Sequence, residues 1–133
     1  MIDRLDHIVL NCRDVAATAA WYERAFGLQR EVFGPDERIA LKFGGQKINL
    51  RPVGAENWIT GTAEVAGAGD LCFIATGGLA AVRAHLDAAG VEVILGPVTR
   101  TGAAGPMTSL YMRDPDGSLV EVASYDPADR VAD

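Results

Sequence analysis

The sequence predicts an α+β fold made of two βαβββ modules that together form a curved mixed sheet. Three observations carry this. The order strand, helix, strand, strand, strand is readable twice along the chain. The two copies also keep their spacing: His7 to Gly27 and Asp70 to Gly90 are both 20 residues, and Gly45 precedes Asn49 by four, as Gly117 precedes Glu121. Finally, 133 residues suit one domain with a real core and are too few for two ordinary ones. Residues 1–133 are therefore read as a single domain, with module 1 over about residues 3–52 and module 2 over about 69–125.

In module 1, "DHIVLN" reads as a strand. "DVAATAAWYERAF" reads as a helix with Asp14 as its N-cap and Gly27 as the left-handed residue after its end. Val15, Ala19, Tyr22 and Phe26 share one face of that helix; Trp21 reads with Tyr22 and Phe26 as core, although it lies off the stripe and could serve an interface. "LQREVF", "RIALKF" and, after the Gly44-Gly45 turn, "QKINLRP" read as strands. A Gly- and Ala-rich loop covers Val53 to Gly69. Module 2 repeats the order with the strand "DLCFIAT" and the helix "LAAVRAHLDAAG", whose apolar face is Leu79, Val82, Leu86 and Ala89. The strands "VEVILGP", "MTSLYMR" and "SLVEVAS" follow. Asp116-Gly117 reads as a type I′ hairpin turn. "TRTGAAGP", residues 99 to 106, reads as a mobile connection or a lid that brings Arg100 over an anionic substrate.

Composition narrows the function classes. Hydrophobic residues make up 49% and charged residues 23%, the balance of a globular chain rather than a disordered one. A net charge of -6 with no basic run argues against a nucleic-acid or anionic-membrane surface. No apolar run reaches transmembrane length and the N-terminus lacks the parts of a signal peptide, so a cytoplasmic location is expected. Cys12 and Cys72 read as packed, reduced thiols rather than a disulfide framework.

The duplication also selects the candidate site. It pairs His7 with Asp70 and Asn49 with Glu121, four polar residues in strands where apolar ones are expected. A carboxylate inside an apolar strand is costly unless it is paired or binds a cation, which makes Glu121 the most telling of the four. His7, Asp70 and Glu121 are suitable ligands for one divalent metal, with Asn49 adding a carbonyl oxygen or giving its place to water. The alternatives stay open: a core histidine for His7, a turn end for Asp70, a backbone partner for Asn49. Strand alternation puts Arg51 on the face of Asn49, and Ser109, Tyr111 and Arg113 on one face of their strand opposite Leu110 and Met112. Arg51, Arg100, Ser109 and Tyr111 are the candidate substrate contacts, suited to a small oxygen-rich or anionic molecule. Tyr111, whose ordinary pKa near 10 suits hydrogen-bond donation, joins Glu121 as a candidate catalytic group. Arg113 and His85 read as surface residues.

Paired βαβββ modules, with His in the first strand and Glu after "DPDG" in the last, resemble the vicinal oxygen chelate superfamily. Its members include glyoxalase I, type I extradiol dioxygenases and the bleomycin- and fosfomycin-resistance proteins. "RLDHIVL", "FGGQKINL", "GPVTRTGAAGP" and "SLYMRDPDGSLVEV" are most similar to the subgroup of glyoxalase domain-containing protein 5 and bacterial virulence proteins. The resemblance covers residues 3 to about 125 and implies metal ligands at His7 and Glu121, with Asn49 at a position that is Glu in glyoxalase I. It also puts Asp70 where a second His is usual. With only two histidines in the chain, and His85 in the second helix, the two-histidine iron(II) site of a dioxygenase is not expected. One histidine with two carboxylates favours Mn or Mg, with Ni, Zn and Fe as further candidates.

Three functions follow from the resemblance. The first is a metal-dependent enzyme with glyoxalase-like lyase or isomerase chemistry. The second is an extradiol ring-cleavage dioxygenase, and the third a metal-free protein that binds or sequesters a small molecule. The resemblance also implies a homodimer that covers open sheet edges, with the first helix or the Val53–Gly69 loop, through Trp58 and Ile59, at the interface.

Overall fold

A computed structural model describes residues 1–132. The chain divides into two units. Among the described residues, unit 1 comprises residues 1–68 and 114–117, and unit 2 residues 69–113 and 118–132.

Unit 1 contains β1 (His7–Cys12), α1 (Val15–Phe26), β2 (Gln29–Phe33), β3 (Arg38–Phe43) and β4 (Gln46–Pro52). Its sheet has the order β1-β4-β3-β2, with β1 parallel to β4 and the other pairs antiparallel. Asp14 caps α1 by accepting a hydrogen bond from the Ala17 N–H at 3.0 Å, and Gly27, at φ 69°, ends it with its N–H on the Glu23 carbonyl. Ala19, Tyr22 and Ala25 on the helix are buried, as are Leu10, Leu41, Ile48 and Leu50, which share the opposite parity of their strands from His7 and Asn49. Trp21 is also buried, edge-on to Tyr22 and Phe26, and so belongs to this core rather than to a free surface.

Unit 2 contains β5 (Asp70–Ile74), α2 (Leu79–Ala88), β6 (Leu95–Gly102), β7 (Gly105–Arg113) and β8 (Leu119–Ser124). The sheet order β5-β8-β7-β6, with β5 parallel to β8, repeats that of unit 1 strand for strand. The register repeats too: His7 lies opposite Lys47, two residues before Asn49, and Asp70 opposite Leu119, two before Glu121. Leu110, Met112, Val120 and Val122 form the buried face, joined by Leu79 and Leu86 of α2.

Four expectations are corrected. The sixth strand is not residues 91–97 but Leu95–Gly102, with a register shift between Leu95 and Val98 where Pro97 has no N–H to give the ladder. Residues 99 to 106 are consequently not a loose lid: Thr99, Arg100 and Thr101 pair with Thr108, Met107 and Pro106 in a hairpin. In "DPDG", Gly117 alone has positive φ (95°), so the turn is not type I′. Its Gly117 N–H closes onto the Asp114 carbonyl at 3.0 Å with Pro115 at the second position. Both cysteines are free. Cys12 is buried, which pushes its thiol up to about 12, but Cys72 is exposed rather than packed. No helix among the described residues is long and apolar enough to cross a membrane.

Candidate functional site

The site in unit 2 is built on one face of three adjacent strands. Cys72 of β5, Glu121 of β8 and Tyr111 of β7 are mutual register partners across the sheet, so their side chains emerge on the same side. Glu121 is 8% exposed. Its Oε2 accepts a hydrogen bond from Ser109 Oγ at 2.6 Å, and Ser109 is fully buried. A short, buried bond to a carboxylate holds that group in one orientation. Tyr111 is half-buried, and its hydroxyl oxygen accepts from Arg100 Nε at 3.1 Å, with the guanidinium 5.4 Å from the ring centre. Burial raises the Tyr111 pKa; the Arg100 bond opposes it and the Glu121 charge adds to it. Tyr111 thus keeps its proton, and because Arg100 takes an oxygen lone pair, the O–H remains a donor.

Cys72 is the member of this face that sequence reasoning passed over. Partial burial of the sulfur first, and then the neighbouring Glu121 charge, push its thiol up to about 11. The signal was present in the alternation, since Cys72 follows Asp70 by two in the same strand. Asp70 itself is exposed at the start of β5. Arg113, at the end of β7, is exposed as expected.

In unit 1 the equivalent face carries His7, Asn49 and Arg51. The half-exposed His7 ring has Nδ1 2.8 Å from Asp6 Oδ2, a carboxylate contact of the kind that orients an imidazole for ligation through its other nitrogen. That contact also lowers the Asp6 pKa. Asn49 is 7% exposed, and its Oδ1 is buried without a hydrogen-bond partner. An orphaned carbonyl oxygen of this kind marks a place for a cation, a donor or a water. Arg51 is buried and bonded to Asn11, Ala55 and Glu64. A cavity of about 330 Å³ in the same unit lies elsewhere, against Ile39, Leu50, Pro52 and Trp58, with Arg38 stacked 4.0 Å from the Trp58 ring centre.

Among the described residues no three His, Cys, Asp or Glu side chains come together as a metal-ligating group. Within unit 1 the candidate donors are His7 and Asn49, and within unit 2 Asp70 and Glu121; neither pair is a complete set.

Two four-stranded sheets of identical order, each with one helix and each with polar side chains at matched places on one face, define a duplicated βαβββ protein. The chain belongs to the glyoxalase/bleomycin resistance protein/dioxygenase superfamily, whose family model matches residues 4–122. It is 44% identical over 124 residues to the glyoxalase domain-containing protein RDO1 of Mycosarcoma maydis, covering 93% of this chain and 69% of that one. It is 41% identical over 125 residues to virulence protein STM3117 of Salmonella typhimurium, covering 94% and 86%. Among solved structures, an integron cassette protein from the V. cholerae mobile metagenome superposes with a TM-score of 0.92 at 44% identity, covering 95% of this chain and 98% of that one.

Proposed function

We propose that this protein is an enzyme that moves a proton on a small, oxygen-rich, anionic substrate, with Glu121 as the base. The observation that carries the reading is the buried Glu121 carboxylate, fixed by Ser109 and facing a tyrosine whose oxygen Arg100 holds. Glu121 takes a proton from the carbon beside a substrate carbonyl, leaving the electron pair as an enolate, and Ser109 acts on the substrate through the carboxylate it positions. Tyr111 donates its O–H to the substrate oxygen on which negative charge collects, and Arg100 adds a positive charge at hydrogen-bond range of that phenol. Arg100 is proposed to recognise an anionic part of the substrate beside Tyr111, and Arg51 is proposed as a separate substrate contact in unit 1. The chemistry is of the glyoxalase-like lyase or isomerase kind.

A divalent metal, with Mn or Mg ahead of Ni, Zn and Fe, is part of this proposal. His7 and Glu121 are its first ligands and Asp70 and Asn49 the next. The His7–Asp6 contact and the unpartnered Asn49 Oδ1 support it. When bound, such an ion supplies Lewis-acid stabilisation of charge on a substrate oxygen. Because no three such ligating groups come together among the described residues, no step of the proposed reaction passes through the metal. A homodimer in the cytoplasm, which would cover exposed apolar groups such as Ile59, belongs to the same reading.

The missing three-donor group favours one alternative, a metal-free protein that sequesters a small molecule. Elemental analysis after gentle purification separates the two. A stoichiometric divalent metal supports the enzyme, and its absence, with no uptake of added Mn(II), supports sequestration. A ring-cleaving dioxygenase would instead show oxygen consumption with catechols.

A further inference from the structure

We propose that Arg51 is the seat of a substrate carboxylate and that Glu64 occupies this seat as an internal carboxylate until the substrate displaces it. The inference rests on the functional reading only in taking Arg51 as a substrate contact. Arg51 lies near the end of β4, and its side chain is 4% exposed. Its Nη1 donates to Asn11 Oδ1 at 3.1 Å and to the Glu64 carboxylate, and its Nη2 donates to the Ala55 carbonyl at 3.0 Å. The Nε–H is buried and has no acceptor among the described residues. One buried cation therefore has one anionic partner, and that partner leaves part of the guanidinium unserved.

The partner is also the component most easily exchanged. Glu64 belongs to the segment between β4 and β5 that has no helix or strand of its own, and its side chain is 39% exposed. Solutes reach it from outside while Arg51 stays fixed by the sheet, Asn11 and Ala55. A free carboxylate is not tethered to the loop, so it has the freedom to reach the Nε–H as well and to use the guanidinium as a fork. Two carboxylates at one guanidinium repel, so entry of the ligand expels Glu64. Ala55 and Glu64 grip the same side chain and bracket Trp58 and Ile59, the latter 97% exposed. Exchange at Arg51 thus frees one end of this strap while Ala55 keeps the other.

The test is a titration of the full chain with acetate, at ionic strength held constant with chloride. It is followed through the indole N–H signal of Trp58, assigned with Trp58→Phe. In wild type, acetate shifts this signal with weak affinity. Glu64→Gln, which removes the internal competitor, binds acetate at least tenfold more tightly. Its melting temperature falls in chloride and is restored by acetate, because ligand bound to the folded state stabilises it. Arg51→Lys keeps a charge and loses the fork, and binds acetate more weakly than wild type. Equal acetate affinity in wild type and Glu64→Gln overturns the proposal, as does chloride acting as well as acetate. Glu121→Gln separates this from the functional reading: the acetate response persists in that variant if the seat is real, whatever happens to activity. An acetate-insensitive protein with Glu121-dependent activity would remove the seat and leave the function standing.

Discussion

Ser109→Ala probes the interaction that holds the proposed base. Ser109 Oγ and Glu121 Oε2 are 2.6 Å apart, and both residues are buried, so water cannot replace the lost donor without opening the sheet face. A hydrogen bond to a charged group contributes about 1.5–3 kcal/mol, whereas one between neutral groups contributes about 0.5–1.5 kcal/mol. Ser109→Ala in wild type should therefore cost about 1.5–3 kcal/mol, and in a Glu121→Gln background only about 0.5–1.5 kcal/mol. The double-mutant cycle should give a coupling of about 1 kcal/mol between the two positions. For a chain of this size the single substitution lowers the melting temperature by roughly 5–10 °C. Urea unfolding of the four proteins, with equal m-values as a check on the comparison, measures the coupling. If Ser109→Ala costs the same in both backgrounds, Ser109 is merely a packed hydroxyl and the positioning argument fails.

Three further outcomes follow from the structure. Tyr22 donates to Asp114 Oδ2 at 2.9 Å inside unit 1, where burial and then the Asp114 charge raise the phenol pKa, so Tyr22→Phe should cost about 1.5–3 kcal/mol in urea unfolding. The Cys72 thiol, raised to about 11, should react with iodoacetamide slowly at pH 7.5. Its thiolate fraction is about 300-fold below that of an ordinary thiol, and greater nucleophilicity returns about tenfold, leaving alkylation on the order of 30-fold slower. Alkylation should accelerate as pH rises toward 11 and also in Glu121→Gln; a rate like that of free cysteine at pH 7.5 would contradict the raised thiol, and an unchanged rate in Glu121→Gln the share of it given to the Glu121 charge. Gly67, at φ 85°, faces the Asp116 carbonyl oxygen where a Cβ would stand, so Gly67→Ala should lower stability by more than about 1 kcal/mol, whereas Gly61→Ala, in open space, should not.

The duplication was legible because it is written in spacing. Helix caps at Asp14 and Gly27 and the turn at Gly44-Gly45 are local signals, and each formed as its chemistry dictates. β6 was misplaced because its first residues look more strand-like than its last. Val91, Val93 and Ile94 give an apolar, alternating pattern around Glu92, yet the ladder with β7 runs on to Gly102, and a Gly- and Ala-rich stretch hides the pairing of Thr99 and Thr101. Composition signals flexibility there, but a tight two-residue turn needs small residues just as much. For the site, alternation placed Ser109 and Tyr111 on one face, and the register shows Glu121 opposite Tyr111. What a single strand cannot show is the partner: that Ser109 holds Glu121, that Arg100 reaches Tyr111, or that Glu64 meets Arg51 from a loop. Those contacts depend on register and loop path.

The proposed role of Glu121 includes holding a divalent metal. It is tested most directly by calorimetric titration of wild type and Glu121→Gln with Mn(II), Ni(II), Zn(II) and Fe(II). Wild type should bind one cation per chain and Glu121→Gln should lose affinity sharply, with the variant's metal-free stability changed by no more than about 1 kcal/mol, the difference between a charged and a neutral hydrogen bond. Equal binding by both proteins, or binding by neither, would contradict it and leave a metal-free member of the fold.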